Sequence, residues 1–230
     1  MSGKYFPTDQ VSPKLLLLAC AVREPEIRPF LHGRVDGIFL DYGLHRTREN
    51  MSQALQVEID RAAERDYENI LLGYGLCRNG ILGLQPPKQP LIVPRVHDCI
   101  SLFLGSSGAY QQQTAQQPST YYLTSGWIEK GQTPLSKFED YSRSYDPETA
   151  IWILKEEMRH YARIALIDTG LGDLRSYRSY AQQNAELLGI HYEELKGSLS
   201  YFQKLLWGPW DEDFLVSERG GRALALEMFL

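Results

Sequence analysis

Three cysteines, Cys20, Cys77 and Cys99, carry the most versatile chemistry in this sequence. Cys20 closes the apolar run KLLLLACAV (14–22), Cys77 follows Gly75 by two residues in GYGLCRNGILGL (73–84), and Cys99 lies in PRVHDCISLFLG (94–105). Each falls where a strand is expected to end. Ligands of open parallel sheets bind beyond the carboxyl ends of the strands, so the three sulfurs converge if those strands are neighbours. Three thiolates, with His97 or water as a fourth ligand, suit tetrahedral zinc or a comparable soft-metal site, and zinc or iron is the expected cofactor. A second reading uses the same residues without a metal. Cys99, placed at a helix start, would have a lowered pKa and act as a nucleophile, with His97 or Glu24 as its base. The bland alternative is that all three pack as small buried hydrophobes.

The loops around the cysteines supply candidate binding groups. GYGLCRNGILGL places four glycines within eleven residues, which permits close backbone approach to a ligand, so Gly73, Tyr74, Gly75, Asn79 and Gly80 are expected to line a site. No Gly-Lys-Ser/Thr follows and the GxGxxG spacing is missed, so no nucleotide cofactor is expected. Arg95 stands two residues before His97, and Asp98 suits an N-cap better than a catalytic acid. Trp127 and Glu129 in TSGWIEKG (124–131) are placed to close the crevice. DTGLGD (168–173) is a glycine-rich turn without a base for phosphate. The acids of WGPWDEDFLV (207–216) miss the calcium-loop spacing.

These residues need a frame, and hydrophobic patterning supplies one. Strands are expected at 14–22, 37–43, 69–75 and 91–96, with helices from Glu24 to about Leu31, from Thr47 to about Asp66, and after Asp98. The alternation implies an α/β fold with mainly parallel sheet, helices on both faces and Rossmann-like halves. A glutamine-rich stretch, 111–119, marks the expected division into an N-terminal half (1–118) carrying the cysteines and a C-terminal half (119–230), or a continuous domain with a helical insertion. Beyond it, 120–128 and 162–170 read as strands, 148–161, 174–188 and 192–206 as helices, and 213–216 as a last strand.

Composition narrows the partners. The 230 residues carry 24 Lys+Arg against 29 Asp+Glu, a net charge of −5, which offers nothing to a polyphosphate backbone; no nucleic-acid partner is expected. The longest apolar run, 15–22, is far short of the ~20 residues of a membrane span, and MSGKYFPTDQ lacks a leader's apolar stretch. No membrane association and a cytoplasmic location are expected. An odd, scattered cysteine count favours reduced thiols over a disulfide scaffold.

The segments LLACAVRE (17–24), LGYGLCRNGILGL (72–84), IVPRVHDCISLFLGS (92–106), TYYLTSGWIE (120–129) and GPWDEDFLV (208–216) together resemble a bacterial and archaeal family, domain of unknown function 1638. The resemblance implies a companion of corrinoid-dependent methyltransferase systems, and hence a role in or beside one-carbon methyl transfer. It supplies no catalytic residue set. The expected function is therefore a metal-binding protein with Cys20, Cys77, Cys99 and His97 as ligands, serving a small-molecule ligand or a corrinoid or methyltransferase partner. The alternatives are a thiol-dependent enzyme built on Cys99 and a non-enzymatic accessory protein.

Overall fold

A computed structural model describes residues 3–5 and 14–229; the remainder of the opening MSGKYFPTDQ segment lies outside the described residues. The leucine-rich and β-branched runs form four parallel strands, β2 (Leu15–Cys20), β3 (Val35–Leu40), β4 (Asn69–Gly73) and β5 (Leu91–Pro94). Two short antiparallel strands complete this sheet at its edges, β1 (Gly3–Tyr5) and β9 (Phe214–Val216), giving the order β1-β3-β2-β4-β5-β9. The parallel strands are almost wholly buried because both faces are covered. Leu16, Leu18 and Cys20 face Met51, Leu55 and Ile59 of helix α2 (Arg48–Ala63). Leu17 and Ala19, pointing the other way, belong to a core with Ile27 of helix α1 (Glu24–Ile27) and with Phe202, Leu205 and Leu206 of helix α9 (Ser200–Trp207).

The second sheet is parallel throughout, with β6 (Thr120–Leu123), β7 (Arg163–Asp168) and β8 (His191–Lys196) in that order. Helices α3 (Ile100–Leu104) and α4 (Ser107–Gln116) lead into it, and α5 (Ser125–Lys130), α6 (Pro134–Tyr141), α7 (Pro147–Met158) and α8 (Leu174–Leu188) connect its strands. Ala165, Ile167 and Leu195 of this sheet share one core with Leu17, Phe39 and Ile92 of the first. The fold is α/β, with a mainly parallel mixed sheet and a parallel one.

Several elements differ from the sequence reading, each for a local reason. The glutamine-rich stretch is mostly the end of α4 rather than a linker. The strand expected over 120–128 stops at Leu123, because the Thr124 hydroxyl accepts from the Trp127 backbone N–H at 3.1 Å and starts α5. The helix expected over 192–206 is a strand, a break and a helix. HYEELK is rich in helix formers, and pairing with β7 along its full length overrides that preference. Helix α6 was not foreseen; Pro134 at its first position and the Thr133–Ser136 capping box are its sequence signals.

Candidate functional site

The strands that carry the cysteines are adjacent: β2 lies beside β4, and β4 beside β5. From β2 the chain passes first to β3 on one side and then to β4 on the other, so a crevice opens between the ends of β2 and β4. Cys20 ends β2 at this reversal, and Cys77 lies just past the end of β4. Past Gly73 the chain stays zipped to the segment after β5, with the Leu76 N–H donating to the Val96 carbonyl at 2.9 Å and the Cys77 N–H to that of His97 at 3.1 Å. Gly75 makes this approach possible, since a Cβ there would stand 2.8 Å from the Val96 carbonyl oxygen. The zipper brings the segments that carry Cys77 and Cys99 side by side, and both residues line the same cavity.

Cys77, Arg78 and Asn79 all have positive φ, 46°, 58° and 62°. Three successive non-glycine residues in left-handed conformation cost roughly 1–2 kcal/mol each. The turn is closed by the Gly80 N–H, which donates to the carbonyls of Leu76 (2.9 Å) and Cys77 (3.2 Å). It presents Cys77 and Arg78 to the wall of a cavity of about 490 Å³.

Beneath the thiols lies Arg23, fully buried in the turn that follows β2. Its guanidinium stacks over the Tyr74 ring at 5.1 Å, and Nη2 is 3.9 Å from Cys77 Sγ. Among the described residues, Nε and Nη1 have no hydrogen-bond partner. A buried cation needs a compensating charge. Cys99 supplies it: the hydrogen bond from Cys77 and the nearby Arg23 charge pull its pKa down to about 6 against burial and the Asp98 carboxylate. Cys77 moves the opposite way, raised by its hydrogen bond to Cys99 and by burial. Burial also raises Cys20, with Arg23 opposing. The two shifts are opposite in direction, which makes Cys99 rather than Cys77 the favoured seat of a thiolate. Cys99 does precede a helix start, but α3 has only five residues, and the groups named above come from other elements.

The cavity opens beyond the ends of β4 and β5. Cys77, Arg78, Asp98 and Cys99 form one wall; Tyr121, Tyr122, Thr124 and Trp127 form the other, from β6 and the start of α5. Asp98 is a brace: Oδ1 accepts from the Ile100 N–H at 2.7 Å and Oδ2 from the Tyr110 hydroxyl at 2.8 Å, tying α3 to α4. Gly126 lets α5 close on the Arg23 turn, since a Cβ there would lie 2.0 Å from the Val22 carbonyl oxygen. Trp127 is fixed by its indole N–H, which donates to the Gln132 carbonyl at 3.2 Å.

Other candidates stand elsewhere. His97 is exposed and, with Arg95, lines a separate cavity, so it is neither a fourth sulfur-site ligand nor a base beside Cys99. Glu24 is buried with its two oxygens paired to Arg28 and Lys130, which replaces the expected base with an ion-pair role. Glu129 is exposed and accepts from the Tyr177 hydroxyl. Tyr74 underlies Arg23, and Gly73 and Gly80 let Ala19 and Met51 approach, so these serve packing beneath the site. Asn79 is exposed on the left-handed turn. Among the described residues, no group of three or more His, Cys, Asp or Glu side chains is arranged to hold a metal ion. The Arg23 guanidinium, 3.9 Å from Cys77 Sγ, already places a cation beside the thiols, which weighs against the expected zinc or iron there. Sequence reasoning missed Arg23, whose signal was a charged residue three places after a strand-ending cysteine. It also missed Tyr121 and Tyr122, absorbed into an overlong strand.

Fold and site together define a two-sheet α/β protein with a cavity lined by two thiols beyond the ends of β4 and β5 of its larger sheet. The chain belongs to the family described as "Protein of unknown function (DUF1638)", whose model matches residues 39–206. That match contains Cys77 and Cys99, while Cys20 and Arg23 precede it. No curated protein and no solved structure matches the chain. No helix among the described residues is long and apolar enough to cross a membrane.

Proposed function

We propose that the protein is a thiol-dependent enzyme in which Cys99, as thiolate, attacks an electrophilic small molecule bound in the crevice. The observation that carries this reading is the buried Arg23 guanidinium beside the cysteines, with no carboxylate paired to it among the described residues. It stabilises a sulfur anion at neutral pH without requiring a separate base. A thiolate is the reactive form of cysteine, and a lowered pKa is a recognised means of activating it. The cavity volume is that of a small-molecule pocket, walled by aromatic rings and by polar groups such as Arg78, Thr114 and Thr124.

Alkylation by iodoacetamide, followed residue by residue across pH, tests the proposal. Cys99 should react first, with a midpoint below pH 7, and Cys20 and Cys77 should lag. Uniform reaction of the three with midpoints near the ordinary thiol value of ~8.5 would refute it.

A further inference from the structure

Two thiols at the wall of one cavity permit a chemistry that a single nucleophile does not. Resting on the thiolate reading of Cys99, we propose that Cys77 is its resolving partner and that the substrate class is a small organic disulfide. The geometry comes from the backbone: the zipper from Leu76 and Cys77 to Val96 and His97 holds the two cysteine-bearing segments side by side, and Cys77, on the left-handed turn 77–79, lines the same pocket as Cys99. Neither cysteine is bonded to another, so the pair is available as a dithiol.

The step balances as follows. The Cys99 thiolate attacks one sulfur of R–S–S–R′, a Cys99–S–S–R bond forms, and R′S⁻ leaves. Cys77 then attacks Cys99 Sγ, forming the Cys77–Cys99 disulfide, and its proton goes to the departing RS⁻. Two cysteine thiols are oxidised and one substrate disulfide is reduced to two thiols. Two equivalents of a low-molecular-weight thiol reverse the protein's oxidation and reset the site.

Arg23 makes the order of events physical. While Cys99 is anionic, its hydrogen bond and charge keep Cys77 protonated. Once Cys99 is consumed in the mixed disulfide, that restraint disappears. The guanidinium, already 3.9 Å from Cys77 Sγ, then has no other thiolate to serve and stabilises the one forming at Cys77. Its Nε and Nη1, buried and without a hydrogen-bond partner among the described residues, leave the group free to serve either sulfur in turn.

The experiment adds bis(2-hydroxyethyl) disulfide to the fully reduced full-length chain and reads intact mass and peptide maps with time. Wild type should lose two hydrogens without keeping an adduct, and the new bond should map to Cys77–Cys99. Cys77→Ser should stop at a stable adduct on Cys99, and Cys99→Ser should react at least about tenfold more slowly. A wild-type chain that retains the adduct on Cys99, or a bond that maps to Cys20, would overturn the resolving role while leaving Cys99 as the nucleophile. Failure of Cys99 to react with either this disulfide or iodoacetamide would remove the thiolate reading itself. The wild-type result decides the question even if a serine variant folds poorly.

Discussion

Arg23 is the residue on which the site's electrostatics turn. It is charged, fully buried and faces sulfur rather than carboxylate, so its removal changes Cys99 more than it changes the cavity. Arg23→Met keeps length and loses charge. We expect the Cys99 alkylation midpoint to rise by about one pH unit or more, with a reaction roughly twofold slower at pH 7 and roughly tenfold slower at pH 5, where the thiolate is the minor form in both proteins. An unchanged midpoint would show that Cys77 alone holds Cys99 down. The linkage to stability has a definite sign. The folded pKa of Cys99 is lowered, so its contribution is fully present above the unfolded thiol value of ~8.5 and is lost as pH falls through the folded value. Stability should therefore climb with pH in that window. Cys99→Ser should abolish the climb, as read by denaturant melts from pH 6 to 9.

The elements around these residues are set by two close approaches. Gly75 lets the chain after β4 run against the segment after β5, and Gly126 lets α5 sit on the Arg23 turn. In both cases the atom a methyl would meet includes backbone oxygen, which has no rotamer to yield. Gly75→Ala and Gly126→Ala should each cost about 1–3 kcal/mol, measured by chemical denaturation. The first should also uncouple Cys77 from Cys99, seen as a slower disulfide closure. Much of this framework was legible in sequence: α8 matches its expected bounds, and the ends of β2, β4 and β5 fall near the cysteines because long apolar runs bounded by glycine or proline leave little choice. The adjacency of those strands was not legible, because strand order depends on pairing between distant segments. Nor was the second wall of the pocket. TYYLTSGWI reads as one apolar stretch, and the Thr124 cap that divides it is visible only as a side chain accepting from a backbone N–H. His97 misled for a related reason: nearness to Cys99 in sequence says little about which side of a turn an imidazole takes.

At the scale of the molecule, the two sheets meet at Glu26. This buried carboxylate on α1 accepts from the Ser125 hydroxyl of α5 at 2.6 Å and lies 3.5 Å from that of Thr169, just beyond β7. Its Oε2 has no partner among the described residues, and burial raises its pKa to about 7. The sign is opposite to that of Cys99. With a folded pKa above the unfolded value of ~4.3, the contribution of Glu26 is fully present below that value and is lost as pH rises through about 7. The difference is of order 3 kcal/mol across the window. Glu26→Gln keeps an acceptor for Ser125 and removes the titration. It should raise the melting temperature at pH 8 and leave it little changed at pH 4, and an equal effect at both would refute the assignment.

The position of β9 has a consequence for biosynthesis. Its three residues, 214–216, pair with β5, whose other neighbour β4 is in place more than a hundred residues earlier in the chain. Throughout translation of the second sheet, the growing polypeptide therefore carries β5 with one open, apolar edge, a template for pairing with another nascent copy. A chain terminated after Trp207 would keep that edge permanently. It should sediment as aggregates where the chain that carries β9 remains dispersed, and chaperone demand should fall only once residues 214–216 have emerged from the ribosome.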